Sequence, residues 1–234
     1  MSQPWPAAEF EARLRAVGER RYHHLHPFNQ RMHAGQLSPN DMRLWIANRF
    51  YYQKNVPVKD GILLSKLPTR EDRRLWLQRI IDQDGREGNE GGLELWVMMG
   101  EAAGLERDDL WSDRFLLPGV RFAVDAYVTF VRERPWLEGV AASLTELFAP
   151  GIHEARLEAF RRHYPWIRPE GYRYSESRLS QARRDVQHGL SLVLQHARTR
   201  EDQERCVAAL EFKCDVLWSL LDAVQLACEQ RRAA

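Results

Sequence analysis

Between about Arg200 and Gln230 apolar residues recur three and four positions apart, with Val207, Leu210, Cys214, Leu217, Leu221, Val224 and Cys228 falling on one stripe. That spacing belongs to a helix with one buried face. Period-two alternation bounded by turn signals is hard to find anywhere in the 234 residues, so the chain reads as all-α. Further helices are predicted at about Pro6 to His24, after Pro27, and from a cap at Ser38 with an interruption near Pro57. Another starts after Thr69 and stops at Asp84-Gly85, where glycine suits a helix C-terminus. Beyond the glycine-rich loop Gly85 to Gly92, helices are predicted near 92–103, 119–134, 136–148, 151–163 and Ser175 to Arg198. With no repeat or linker, residues 1–234 are expected to form one helical domain, a compact bundle of about seven or more helices. A globule of this length buries roughly 70 % of its unfolded surface, enough for a core with an internal pocket.

The 34 basic and 33 acidic residues nearly cancel to +1, so no global field points to nucleic acid or an anionic membrane. No apolar run is long enough to span a bilayer, and the opening Met-Ser-Gln-Pro-Trp-Pro lacks a basic-then-apolar leader. A cytoplasmic location is expected. Cys206, Cys214 and Cys228 all fall in the last segment without a C-x-x-C pairing, which suits small core residues in a reducing compartment. Paired Glu-x-x-His motifs are absent, and Asp185-x-x-His188 alone has a related spacing, so no metal site is expected. Gly88 to Gly92 follows a helix and has neither the spacing nor the strand of a phosphate or dinucleotide loop.

Function is carried by residues that break the apolar stripes. Beside the last stripe runs a row of Cys206, Lys213, Leu220 and Ala227, and Lys213 is its one charge. A lysine there should point at a negative ligand or a carboxylate. Arg49 interrupts Met42, Trp45, Tyr52 and Val56, and Gln53 lies one turn beyond it. Arg79 follows Leu75 and Trp76, with Gln83 one turn further. Tyr174 and Arg178 share a face, and Tyr127 sits in an otherwise apolar helix. One such arginine is most simply a snorkelling side chain at the edge of the core. Four helices doing it together point to a pocket for a small polyanion with acid–base groups. His23, His24, His26 and His33 surround a helix end and a proline turn, where capping and surface polarity are the generic reading. His153 lies three before Arg156 and seven after Glu146, and all three share a face if the helix runs through Pro150-Gly151.

Several long segments carry a family resemblance. They are Arg21-Tyr22-His23-His24-Leu25-His26-Pro27-Phe28, Ala47-Asn48-Arg49-Phe50-Tyr51-Tyr52-Gln53, Leu117 to Tyr127, Ser143 to Pro150, His163 to Ile167 and Gln181 to Val186. In these the chain resembles the pyrroloquinoline-quinone synthase family, in order and over nearly its whole length. The resemblance implies a haem-oxygenase-like helical bundle that binds no haem and is usually dimeric. It also implies a cofactorless oxidase for the last step of pyrroloquinoline quinone biosynthesis. A ring is closed on a bicyclic polycarboxylate precursor, molecular oxygen oxidises it, and hydrogen peroxide is released. By motif, substrate contacts fall on Tyr22, Arg49, Tyr52, Gln53, Arg79, Tyr127, Arg156 and Lys213. Catalytic roles fall on His153, Tyr174, Arg178, Gln83, His23 and Glu146, with Glu146 orienting His153 and Tyr174.

One position departs from the family: where it has a histidine before Asp-Gly, this chain has Gln83. Glutamine hydrogen-bonds but takes up no proton near neutral pH. Binding and early steps are then expected to survive while a later proton transfer slows or takes a rebuilt path. The alternative from another class is a stalled protein that binds pyrroloquinoline quinone or its precursor. A thiamine-pyrimidine hydrolase on the same scaffold would need a cysteine nucleophile in the pocket. A helical interaction module would leave the charges within core-facing stripes unexplained.

Overall fold

Eleven α-helices and three short 3-10 segments make up the described part of the chain. The computed structural model describes residues 2–233 and leaves out the side chains of 180–186. The Asp185 half of the Asp185-x-x-His188 spacing and the Gln181 to Val186 motif therefore lie outside the described residues. α1 spans Ala7–Arg21 and leads through a 3-10 turn, His23–Leu25, into α2, Pro27–His33. His26 caps α2, its Nδ1 accepting the Phe28 amide at 3.0 Å. α3, Pro39–Lys66, starts at a capping box in which Ser38 and Asp41 satisfy each other's backbone amides. α4, Arg70–Asp84, is capped by Thr69 and ends at Gly85. α5 is Gly91–Ala102, α6 Arg107–Trp111, α7 Pro118–Glu133 and α8 Trp136–Ser143. A 3-10 segment, Leu144–Phe148, runs directly into α9, Ala149–His163, and another, Pro169–Tyr172, into α10, Arg173–His196. α11 closes the chain as Arg200–Ala233.

The expected all-α bundle is what forms, with three corrections of detail. α3 is not interrupted at Pro57 but runs straight through it. The proline removes one amide from the helical ladder, yet α3 is packed on α4, α5 and α7 along its length. Tertiary contact outweighs that local cost. The predicted 136–148 helix is split, its second half tightening to 3-10. α6 has no counterpart among the predicted elements, because five residues are too few to show a periodic stripe.

α11 packs on α7, α8 and α1, which enclose the predicted α11 stripe, and α9 packs on α10. Leu210, Cys214, Leu217, Leu221, Val224 and Cys228 are buried on it. Among the described residues no helix is long and apolar enough to cross a membrane.

Ser38→Ala removes one half of the capping box. It is expected to cost about 1 kcal/mol and to lower the thermal midpoint by about 2–4 °C for a chain of this size, read by calorimetry.

Candidate active site

Arg49, Tyr52, Gln53 and Val56 are spaced as one face of α3, and that face forms a wall of an internal cavity. α9 faces it with Ile152, His153 and Arg156, and α10 with Tyr174 and Arg178. Gln83 enters from the last turn of α4, and Glu146 and Thr145 from the 3-10 segment before α9. Tyr22 and His23 close it from the turn after α1, and Leu217 of α11 adds an apolar contact. Glu146 does not share a helix with His153 and Arg156, since α9 begins after it, yet all three reach the same space.

The charges in this wall do not balance. Glu146 is committed, receiving Arg79 at 2.6 Å and facing Arg178 at 4.0 Å. Arg156 is buried with no carboxylate partner among the described residues. Its guanidinium lies 4.8 Å over the Trp45 ring, and its Nε is buried without a hydrogen bond. Burial, reinforced by Arg49, pushes it down to about 10. Arg49 lies 3.9 Å over the Tyr52 ring, again without a carboxylate. Two guanidiniums without countercharge in one cavity are a fork-shaped receptor for a polycarboxylate.

The acid–base groups sit in the same field. His153 and His23 are both held well below the ordinary histidine value, first by burial and then by the cavity's arginines, so each is neutral near pH 7 and able to accept a proton. The His153 Nδ1 lies 3.3 Å from the Ser175 hydroxyl. Tyr174 packs edge-on against the same imidazole and donates to the Gln53 Oε1 at 3.1 Å.

The predicted residues mostly meet here, but four assignments change. Arg79, Tyr127 and Lys213 stand behind the wall rather than in it. Of the two partners expected for Lys213, a carboxylate is not found among the described residues: its Nζ hydrogen-bonds the Tyr52 hydroxyl at 2.6 Å and lies 3.8 Å from the Tyr127 ring centre. Glu146 clamps arginines instead of orienting His153, a task that falls to Ser175. His23 and His26 are buried, not surface polarity, because the turn after α1 is folded inward under α11. Ser175 gave no signal in the sequence, being a small polar residue at the start of a helix.

Gln83 owes its place to the glycine loop. A Cβ on Gly92 would fall 2.3 Å from the Gln83 Oε1, and one on Gly91 would strike the backbone of Gly85. The glycines thus let the start of α5 press against the end of α4. The Gln83 Oε1 is buried there without a hydrogen-bond partner.

The cysteines are buried and free. Burial pushes each thiol up to about 12, and none lines the cavity. That removes the nucleophile a thiamine-pyrimidine hydrolase reading requires. Among the described residues no cluster of histidine, cysteine, aspartate and glutamate is arranged to hold a metal ion.

The chain matches the TENA/THI-4/PQQC family over residues 11–223. It belongs to that family. A pyrroloquinoline-quinone synthase of Pseudomonas aeruginosa is 56% identical over 226 residues, covering 96% of this chain and 90% of that protein. One from Pseudomonas putida is 52% identical over 230 residues, covering 98% and 91%. Among solved structures, a domain with a heme oxygenase-like fold from Shewanella denitrificans aligns at TM-score 0.76 and 12% identity, over 96% of this chain and 92% of that one. A TenA homolog from Pseudomonas syringae aligns at 0.72 and 15%, over 97% and 99%. These likenesses establish the haem-oxygenase-like fold.

Two predictions test the electrostatics. Arg156→Met removes a buried charge without leaving a partner unpaired. The thermal midpoint of the empty protein is expected to hold or rise, while polycarboxylate affinity falls tenfold or more, since charged hydrogen bonds contribute about 1.5–3 kcal/mol. The second concerns acid. The depressed histidines bind fewer protons folded than unfolded, so stability is lost as pH falls below the ordinary value of 6.5. Each contributes a slope of up to about 1.4 kcal/mol per pH unit until its folded value is reached. His23→Gln should flatten the acid limb of a denaturation series by one such increment.

Proposed function

We propose that this chain is a pyrroloquinoline-quinone synthase. It closes a ring on a bicyclic polycarboxylate quinone precursor, oxidises it with molecular oxygen, and releases hydrogen peroxide without a metal or organic cofactor. The observation that carries the reading is the pair of guanidiniums, Arg49 and Arg156, held in one cavity without countercharge beside two neutral histidines. The relatives at 52% and 56% identity bear that name, which favours an enzyme over a stalled binding protein.

Arg49 and Arg156 would take the substrate carboxylates and fix the ring against α9. His153, neutral and steadied by Ser175, accepts a proton from the substrate as the ring system gains carbanion character. Arg178, which lines the cavity, would stabilise the charge that develops as electrons pass to oxygen. Each dioxygen reduced to hydrogen peroxide takes two electrons and two protons from the substrate. The protons come by way of His153 and Tyr174, whose hydroxyl is aimed by Gln53. Gln83 contributes hydrogen bonding and shape, and its unpartnered carbonyl is an acceptor for a substrate N–H. Residues 1–234 act as one catalytic domain, as a homodimer in the cytoplasm.

Anaerobic mixing of the protein with the precursor, followed by admission of oxygen, tests the reading by visible spectrum and peroxide yield. A spectral change without oxygen, then the full quinone spectrum with peroxide, is expected. Gln83→His should speed the oxygen-dependent phase and leave the anaerobic one in place. No spectral change under either condition would overturn the assignment.

A further inference from the structure

Trp96 of α5 is fully buried, yet it lines no part of the cavity. Gly92 and Gly100 lie one turn to either side of it on the same face. A Cβ on Gly92 would fall 2.3 Å from the Gln83 Oε1, and one on Gly100 would meet the Leu110 side chain at 2.6 Å. α5 is thus packed closely above and below the indole. The indole itself is tied to α3. Its N–H donates to the Ile46 carbonyl at 3.0 Å, and its ring lies 5.5 Å from that of Trp45, tilted by 58°. Trp45 is the ring over which the Arg156 guanidinium sits.

The next ring in the row is that of Tyr174, which does line the cavity. Its centre is 4.7 Å from that of Trp96 at an interplanar angle of 81°, and 5.9 Å from the His153 imidazole at 62°. Both contacts have the edge-to-face geometry that aromatic pairs favour. A phenol oxygen lies on the axis of its ring, so whatever fixes the ring fixes the oxygen. That oxygen donates to the Gln53 Oε1 at 3.1 Å. Ile46, Trp45 and Gln53 all belong to α3. The tyrosine of α10 is therefore registered against α3 twice, at its tip through Gln53 and at its flank through Trp96.

We propose that Trp96 is a positioning residue for the oxidation, holding the Tyr174 ring so that its hydroxyl stays where protons pass to oxygen. The inference rests on the synthase reading and adds to it a side chain outside the cavity. Trp96 acts only through Tyr174, since the tyrosine ring stands between the indole and the reacting atoms. The Gln53 hydrogen bond fixes one atom at the tip. The indole stops the ring from tilting about that point.

A double-mutant cycle on the oxygen-dependent phase tests this, with the quinone spectrum followed after oxygen is admitted to protein premixed anaerobically with the precursor. Trp96→Leu removes the ring at the flank and should slow that phase roughly tenfold, since a displacement of about 1 Å in a reacting group costs up to about a hundredfold. Trp96→Phe, which keeps an aromatic ring there, should restore the rate to within about threefold of wild type. Tyr174→Phe retains the ring and lacks the hydroxyl. In that background Trp96→Leu should slow the phase by less than about twofold, because no hydroxyl remains to be misplaced. If Trp96→Leu does not fold, Trp96→Met takes its place in the cycle. A wild-type rate in the folded Trp96 variant overturns the proposal. So does the same slowing in both backgrounds, which would make the indole core packing alone. No spectral change in the wild type would instead remove the synthase reading itself, and this role with it.

Discussion

The charge placed at Arg156, and at half-buried Arg49, without a countercharge among the described residues is the constraint on which the site depends. Leaving a buried charge such as Arg156 unpaired costs several kcal/mol in a protein interior, so the fold must hold these side chains in place by other means. It does so with aromatic faces. Trp45 lies under Arg156 and Tyr52 under Arg49, both rings belonging to α3. α3 can present them because its capping box starts it rigidly and because it continues through Pro57 under the pressure of α4, α5 and α7. The histidines follow from the same field, since burial and these guanidiniums together keep His23 and His153 neutral.

Much of this was legible in the chain itself. The α11 stripe and the arginine inside the α3 stripe announced a helical bundle with a polar interior, and Arg49 with Gln53 proved to line the cavity. Spacing on one helix could not separate side chains that reach the cavity from those one layer behind. Arg79, Tyr127 and Lys213 break their stripes as visibly as Arg49, yet they do not line the cavity, and Arg79 and Lys213 touch its wall through Glu146 and Tyr52. Ser175 escaped notice because a serine near a helix start is ordinary.

Gln83 illustrates how local backbone fixes chemistry at a distance. Gly85, Gly91 and Gly92 permit a close approach that a single Cβ would block, and the Gln83 amide oxygen packs against Gly92 as a result. An amide takes up no proton near neutral pH, so in the proposed reaction proton transfer falls to His153 and Tyr174. The buried cysteines, outside the wall and with raised thiols, separate this site from a nucleophilic variant of the same fold.

The most direct test of the account is a structure of the protein with pyrroloquinoline quinone bound. The account predicts carboxylates of the quinone paired with Arg49 and Arg156, the ring system against His153 and Tyr174, and the Glu146–Arg79 pair intact. A quinone seated outside this cavity, or inside it with both guanidiniums still free of carboxylates, would contradict the account.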